Sequence, residues 1–423
     1  MNGYIFTAIM LSSIALLFLV FRKRVLVFFQ GSPYLICWAL MFVSNLGFPT
    51  VIQYSTRLLG LIVSWVTILI HGHGKIKHKK DDKPAIIFCA YLCMCLVSCF
   101  YSISILQSII KTIELFTDLV LLLNLRHELG EQKFVTRIFN LSVFISFILL
   151  MITIIGFFSF PRFFSNSGYQ ASRSLLGIRL GTGILGANKA SALAVICIIW
   201  CIILNYKKNI MTFTMLLCCA LIMYYSQSRA SLLLLPVVIF LKFFNPHSRF
   251  RLVYLCGLII LVVLTISNLT IIKEYLLRGQ TTDKLLTGTG RTTMWEIASE
   301  YISERPIFGY GFGAGGELVG ARYYGVATVH SGIYETLLGT GIIGLFLLSM
   351  QIIYVIHLLL KNIILEGFRN NIADILIVIY FVIRTVTSLG IGNWHSQELM
   401  IWLVFFFSIR KGKSMHMNYL AEG

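Results

Sequence analysis

The stretch of sequence that decides the fold class is residues 137–159, RIFNLSVFISFILLMITIIGFFS. No charged side chain follows Arg137 in this stretch, and about 20 apolar residues in a helix are enough to cross the hydrocarbon layer of a membrane. Such apolar runs recur along the chain at about 5–21, 33–52, 56–71, 85–106, 108–126, 137–159, 187–205, 209–226, 229–243, 251–272, 331–359, 372–390 and 396–409. They predict an all-α polytopic membrane protein with about 12–13 transmembrane helices.

The overall composition excludes the soluble classes of protein. Of the 423 residues, 57% are hydrophobic and only 12% are charged, and the mean hydropathy is +0.84. A soluble domain carries roughly 25% charged residues. All ten cysteines lie within apolar runs, which favours buried packing residues over metal ligands or disulfides. The net charge of +18 then points to membrane orientation or to an anionic substrate, and no nucleic-acid partner is expected.

The basic turns between the apolar runs indicate the orientation of the chain. Lysine and arginine cluster in turns that all fall on one face of the membrane, at 71–83, 207–208, 249–251, 361–369 and 410–413. Cytoplasmic loops are enriched in these residues, so we expect this face to be cytoplasmic. Four regions follow: an N-terminal transmembrane bundle at 1–160, helices with arginine-bearing outer loops at 161–273, a large outer loop at 274–330, and C-terminal helices with a cytoplasmic tail at 331–423.

Within the large outer loop, residues 291–305 predict an amphipathic helix. One face is apolar and the other repeats glutamate every four residues; the apolar face holds Met294, Trp295, Ala298, Tyr301 and Ile302. Pro306 ends this helix, and a glycine-rich turn follows at 309–316. Because tryptophan and tyrosine are typical of the membrane–water boundary, we expect the helix to lie on the outer surface close to lipid.

Three stretches have the glycine spacing of a dinucleotide-binding loop, at 181–186, 311–316 and 339–344. That spacing indicates a nucleotide only between a strand and a helix, so no nucleotide is expected. The third lies in an apolar run, where small residues allow close helix packing. The first leads into a helix that opens near Asn188; a helix N-terminus can bind an anion, although a plain loop fits this feature equally well.

A pair of carboxylates, Glu114 and Asp118, lies one helical turn apart within an apolar run. Carboxylates inside a membrane are costly and often functional, so a proton relay in a transporter is one interpretation. Pairing with Thr117, Lys111 or a neighbouring helix is the other, and it is the simpler one.

The choice between arginine and lysine differs on the two sides of the membrane. Lysine prevails among the cytoplasmic cations, whereas outer positions and outer ends of spans carry ten arginines and four lysines. The arginines are Arg57, Arg162, Arg173, Arg179, Arg229, Arg278, Arg291, Arg305, Arg322 and Arg384. Arginine grips phosphate or carboxylate through paired hydrogen bonds. Snorkelling to lipid headgroups would explain any single one, but the set favours a pocket for a large anion at the outer surface.

His330 stands where the outer loop re-enters the membrane, in Val329-His330-Ser331-Gly332. A histidine side chain has a pKa near 6.5 and can accept a proton at working pH. The dipole of a helix N-terminus favours the neutral imidazole, which suits a general base. A capping or headgroup-binding histidine is the alternative for this residue taken alone.

In order along the chain, these motifs resemble the O-antigen ligase/polymerase superfamily of the Wzy and WaaL type. The resemblance rests on Arg291 with Trp295, on the Pro-x-x-Gly-x-Gly turn that begins at Pro306, and on His330 followed by the Gly-x-x-Gly stretch 341–344. It covers roughly residues 173–345, including a Ser-Arg turn at 228–229. Ligases often have asparagine directly after the histidine, whereas here the residue is Ser331.

The resemblance implies a GT-C-like membrane glycosyltransferase that needs neither a cofactor nor a metal ion. Its donor would be a glycan on undecaprenyl pyrophosphate, and its catalytic residues would be His330, Arg291 and Arg229. Substrate-binding roles would fall to Arg179, Arg173, Arg384, Asn188, Trp295, Tyr310, Arg305 and Glu335.

Among the activities of such a family, we expect a polymerase that joins lipid-linked repeat units with inversion. A ligase that moves the glycan to lipid A–core is the alternative, and a flippase or other transporter is the alternative from another class. The expected location is the bacterial inner membrane with the active site facing the periplasm. Membrane lipid, a chain-length regulator and a flippase are the expected partners beside the lipid-linked oligosaccharide.

Overall fold

In the computed structural model, the described residues are 32–44, 46, 50–72, 82–159, 180–181, 185–204, 210–228, 231, 238, 291–322, 328–392 and 395–409. These residues form helices joined by turns, and the described ranges contain no β-strand. The predicted all-α fold class is confirmed.

Two compact units divide the chain by their internal contacts, the first comprising Met1–Ile145 with Gly290–Gly423 and the second Ser146–Thr289. The helices are α1 (Pro33–Ser44), α2 (Thr50–His71), α3 (Lys83–Ser98), α4 (Ile105–Ser159), α5 (Ala187–Ile199), α6 (Ile210–Ser226), α7 (Arg291–Glu304), α8 (Gly315–Arg322), α9 (Gly332–Glu366), α10 (Ile372–Thr387) and α11 (Gln397–Ser408). Short 3₁₀ turns lie at Cys99–Tyr101, Arg369–Asn371 and Gly390–Gly392, and a π-helical turn, Trp200–Leu204, continues α5.

Several helices are long and apolar enough to cross a membrane. Five such segments occur among the described residues: Gln53–His71, Lys83–Tyr101, Lys133–Ser159, Gly332–Glu366 and Arg369–Thr387. Large apolar side chains are exposed along them, as at Leu58 and Ile62 of α2 and Phe346 and Ile353 of α9. A soluble protein seldom exposes so much contiguous apolar surface, whereas a helix that faces lipid must do so.

Some helix ends differ from the apolar runs. The run at 33–52 breaks after Ser44, and α2 begins at Thr50 rather than near 56. The intervening sequence contains Gly47 and Pro49, residue types that end or start helices, and the apolar run continues across them because it registers hydrophobicity alone. In α4, Gly130 has non-helical φ 70° and ψ 161°, so the helix is two segments joined at this glycine.

The first unit is held together by buried aromatic and polar contacts between distant parts of the chain. The indole N–H of Trp38 in α1 donates to Ser142 Oγ in α4 at 3.1 Å. The Gln397 amide at the start of α11 donates to the Phe42 carbonyl at 2.9 Å. The Oγ of Ser396 caps α11 by accepting from the backbone N of Leu399 at 3.1 Å. Carboxyl-terminal and amino-terminal helices therefore share one core.

The predicted amphipathic helix is confirmed as α7, but its apolar face packs against protein. Met294 and Ala298 are buried in a cluster with Val319, Val329 and Leu338, and the other stripe residues pack around that cluster. Periodicity showed that one face of this helix would be covered. The covering surface is α9 and the segment before it, which corrects the expectation that lipid would cover this face.

Candidate functional site

A break in α9 forms the floor of the candidate site in the first unit. Gly341 has φ 66° and ψ −162°, which interrupts the helical hydrogen bonding of α9. The carbonyls of Leu338 and Gly339 instead accept from the backbone N of Tyr310 at 2.7 Å and of Gly311 at 2.8 Å. The backbone N of Ile342 donates to the Pro306 carbonyl at 2.9 Å. The glycine-rich turn therefore takes the place of a missing turn of helix.

Glycine is required at both sides of this junction. A Cβ at Gly309 would lie 2.5 Å from the Leu338 carbonyl oxygen, and one at Gly341 would collide with the backbone of Ile307. Both residues also have positive φ, which L side chains rarely adopt. The expected role of the glycines at 339–344 in close packing holds, but their neighbour is the turn rather than a second helix.

The other side of the glycine-rich turn rests on α3 and α4. The backbone N of Phe312 donates to Ser98 Oγ at 2.9 Å, and the backbone N of Ile103 donates to the Tyr310 carbonyl at 3.1 Å. The buried ammonium of Lys111 donates to the Gly313 carbonyl at 2.5 Å. Together with the contacts to α9, these contacts fix the turn to three helices of the first unit.

His330 projects from this scaffold two residues before α9 begins. Its side chain is exposed, its φ is 54°, and its Nδ1 lies 3.4 Å from Thr328 Oγ1. Loss of hydration on the protein-facing side of the ring lowers the pKa of His330 below its usual value of 6.5, and the positive charge of Arg291 lowers the pKa further. The neutral imidazole, the form that accepts a proton, is therefore favoured.

Arg291 begins α7 and reaches the end of α10. Its Nη1 donates to the Thr387 carbonyl at 2.8 Å, and its charge acts on His330. A helix C-terminus exposes carbonyls that favour a cation, so the contact both orients the guanidinium and stabilises it. The structure thus brings together two of the residues predicted to be catalytic.

Arg384, a predicted substrate-binding residue, is buried and paired within the protein. Its Nε lies 2.9 Å from Glu398 Oε2, and its Nη2 lies 2.7 Å from Glu398 Oε1. Nη2 also contacts Ser388 Oγ at 3.2 Å. A buried arginine is costly unless paired, and Glu398 supplies the partner. The arginine thereby ties α10 to α11.

The predicted sugar-stacking aromatics are engaged by neighbouring side chains. The Trp295 ring stacks on Tyr334 with centroids 5.5 Å apart, and its indole N–H donates to the Val329 carbonyl at 3.1 Å. Tyr310 is buried, and the Arg305 guanidinium carbon lies 4.9 Å from its ring centroid.

A buried hydrogen bond fixes the phenol of Tyr310. Its OH donates to Glu304 Oε2 at 2.7 Å. Burial first, and then this carboxylate, raise the pKa of Tyr310 to about 12. The phenol therefore stays protonated and serves the packing of α7 on the turn.

Glu335 lies in the first turn of α9, only 3% exposed. Its Oε2 accepts from the backbone N of Val329 at 3.4 Å. The positive charge of Lys111 acts on this carboxylate. Glu335 therefore contacts the backbone of the residue that precedes His330.

The second unit contains Asn188, in the first turn of α5, and the helix predicted to open near this residue is confirmed. A chain of serine hydroxyls surrounds this helix start: Ser231 Oγ lies 3.0 Å from Ser191 Oγ and 3.4 Å from Ser228 Oγ. Gln227 in the adjoining turn has a left-handed φ of 52°. The predicted Arg173, Arg179 and Arg229 lie outside the described residues.

Sequence reasoning missed His395, the partner of Asp118. The His395 Nδ1 lies 2.7 Å from Asp118 Oδ2, and its Nε2 lies 2.8 Å from the Met41 carbonyl. Glu114 has its nearest cation in Arg57, whose Nε lies 3.9 Å away. A histidine just before an apolar run was the one available signal. Both carboxylates thus lie next to a basic side chain from another part of the chain. This agrees with the simpler interpretation, pairing within the protein.

No metal-binding constellation occurs within the parts of the chain described above, since no three His, Cys, Asp or Glu side chains group suitably there.

A multi-pass membrane protein, helical over its described residues, with a glycine-rich turn packed against a broken helix is the class that these features define. The family model Wzy_C, described as O-Antigen ligase, matches residues 213–349. This match supports the resemblance to the O-antigen ligase/polymerase superfamily over residues 213–349 and does not distinguish polymerase from ligase. The family consists of glycosyltransferase-like enzymes, and it implies a lipid-linked oligosaccharide substrate and contact with membrane lipid. No curated protein matches the chain.

Proposed function

We propose that this protein is a polysaccharide polymerase of the bacterial inner membrane that works on its periplasmic face. It joins the glycan of one undecaprenyl-pyrophosphate-linked unit to a hydroxyl of another. The observation that carries the proposal is an exposed His330 before α9, where Gly332 donates to the Ser388 carbonyl at 2.7 Å, with Arg291 donating to the adjacent Thr387 carbonyl at 2.8 Å. Attack on a pyrophosphate-linked sugar requires a base for the acceptor hydroxyl and positive charge for the leaving group, which these two side chains can supply.

The chemistry follows from these two groups. The acceptor hydroxyl gives its proton to the neutral imidazole of His330 as its oxygen bonds to the anomeric carbon. The bond from that carbon to the pyrophosphate oxygen breaks on the opposite face, which inverts the anomeric configuration. Undecaprenyl pyrophosphate leaves with the electron pair, and arginine charge stabilises it. In this scheme arginine replaces a metal ion, so turnover is expected to persist in EDTA.

The resemblance assigns donor binding to Arg291, Arg179 and Arg229, and less directly to Arg173. Asn188 and the serine hydroxyls near it contribute the start of a helix, which suits an anion. Arg384 supports the fold through its pairing with Glu398, and Arg305 is available to a glycan from the edge of the loop.

Polymerase is preferred to ligase because Ser331 stands where ligases often have asparagine. The alternative is a ligase that transfers the glycan to lipid A–core, and the family match is compatible with both activities. Both reactions share the chemistry above and differ in the acceptor. A polymerase would work beside a flippase that delivers the units and a regulator that sets chain length.

Deletion of the gene, followed by gel analysis of the surface glycan, tests this function. A polymerase mutant should leave a single repeat attached to its acceptor. Complementation with His330→Ala should leave the same single repeat, whereas the wild-type gene should restore long chains. Loss of all attached glycan would show a ligase instead. Accumulation of inward-facing lipid-linked units would overturn both and support a flippase.

A further inference from the structure

The residue before His330 is held at both ends of its backbone by side chains. The Val329 carbonyl accepts from the Trp295 indole N–H at 3.1 Å, and the Val329 N–H donates to Glu335 Oε2 at 3.4 Å. Val329 itself is fully buried within the cluster between α7 and α9. Its peptide groups therefore have little freedom to rotate.

This restraint matters because His330 has an unfavourable backbone conformation. Its φ of 54° is left-handed, which is uncommon for a residue other than glycine. Such a conformation persists where the surrounding contacts over-determine it. The contacts that do so here come from Glu335, at the peptide group before Val329, and from Trp295, at the peptide group between Val329 and His330.

The same geometry argues against direct contact of Glu335 with a glycan. The Glu335 side chain is only 3% exposed, whereas the His330 side chain is exposed. Burying a carboxylate is costly, and Lys111 supplies the positive charge that offsets this cost. Lys111 is itself fixed by its hydrogen bond to the Gly313 carbonyl. The Glu335 carboxylate therefore contacts buried protein groups next to His330 and is not available to a substrate.

We propose that Glu335 and Trp295 are positioning residues that hold the Val329 backbone and thereby aim the imidazole of His330 at the acceptor hydroxyl. The inference rests on the proposed function, since it assigns these residues to the same reaction. It replaces the expectation that both bind substrate with a role that acts through His330.

Kinetics of the purified full-length protein on lipid-linked repeat units test this role. Glu335→Ala removes the acceptor of the Val329 N–H, and we expect kcat to fall by about 100-fold because a misplacement near 1 Å has that effect. The KM for the donor should stay unchanged. Glu335→Gln keeps an oxygen that can accept the same hydrogen bond, so it should recover most of the lost kcat.

A second variant removes the hydrogen bond to the Val329 carbonyl, in the peptide group that follows. Trp295→Phe removes the indole N–H yet keeps a ring that can stack on Tyr334, and we expect kcat to fall with KM unchanged. The matched control is Glu114→Gln, which also removes a buried carboxylate charge but lies in α4 and makes no contact with Val329 among those described. This control should keep wild-type kcat and KM.

The outcomes separate the inference from the function on which it rests. Wild-type kcat in both Glu335→Ala and Trp295→Phe, with His330→Ala inactive, would overturn the positioning role alone. A raised KM with unchanged kcat would assign Glu335 to substrate binding and also overturn it. Wild-type turnover in His330→Ala would overturn the proposed function and the inference with it.

Discussion

Arg384 and Glu398 form a two-point ion pair, with the nitrogens of the guanidinium 2.9 Å and 2.7 Å from the two carboxylate oxygens. The arginine is 2% exposed, so water contributes little to its solvation. Fork-to-fork geometry of this kind is specific to arginine and is not reproduced by lysine. The pair joins α10 to α11 across the turn that contains Gly390–Gly392.

Glu398→Gln should strongly destabilise the protein because it leaves a buried guanidinium without a counter-charge. We expect a loss of about 3–5 kcal/mol in the free energy of unfolding. Denaturant unfolding of the detergent-solubilised protein measures this loss. Glu300→Gln is the control: its partner Arg322 lies 2.6 Å away in an exposed pair, worth at most about 1 kcal/mol. Equal losses in the two variants would contradict the prediction.

Gly341→Ala should detach the glycine-rich turn from α9. The new Cβ would collide with the backbone of Ile307, so the carbonyls of Leu338 and Gly339 would lose their partners. We expect faster chymotryptic cleavage after Phe308, which lies in this turn and is already exposed, and loss of the proposed polymerase activity. Gly367→Ala is the matched control. Gly367, which follows the last residue of α9, also has a positive φ of 84°, but no atom lies within 4 Å of its Cβ position. It should lose only about 1–2 kcal/mol from the backbone conformation.

The pH profile should report the environment of His330. A general base must be neutral, and the pKa of His330 lies below 6.5, so kcat/KM should fall only as the pH drops below 6.5. Arg291→Gln removes the second cause of the lowered pKa. The acid limb of its residual activity should therefore move to higher pH, part of the way towards 6.5. Arg322→Gln should leave the limb in place, and an unmoved limb in Arg291→Gln would contradict this electrostatic link.

Asp118 and His395 should show strong energetic coupling. Each is buried, and removing either breaks their buried contact, so Asp118→Ala and His395→Ala should each cost about 3–5 kcal/mol. The double variant should cost less than the sum of the single variants, by roughly 0.5–3 kcal/mol. Denaturant unfolding of the four proteins measures the coupling. Additive losses would show that the contact contributes no pairwise stabilisation.

Hydrophobic runs and local patterns predicted those parts of the structure that depend on neighbouring residues. The amphipathic spacing of Met294 and Ala298 was enough to place α7, and the position of His330 before an apolar run was enough to place it at a helix start. The surface against which α7 packs could not be predicted, because periodicity indicates that a face is covered without identifying the covering residues.

Other features depend on contacts between distant residues, which spacing does not encode. Arg384 was predicted to bind substrate because a lone arginine in an apolar run appeared unpaired. Glu398 becomes its partner only when α10 and α11 fold back on each other. The break at Gly341 was similarly hidden, because a glycine in an apolar run is equally compatible with close helix packing.

The junction at Gly341 also sets where the protein can be cut and rejoined. Because two carbonyls and one N–H of α9 form hydrogen bonds with the turn at 306–313, this turn and residues 338–342 form one structural module. A chimera that exchanges the turn between relatives but keeps its own residues 338–342 would join the turn of one protein to the α9 of another. The hydrogen bonds between them would then be mismatched. Exchanges that aim to alter the glycan made should therefore place their boundaries after residue 342.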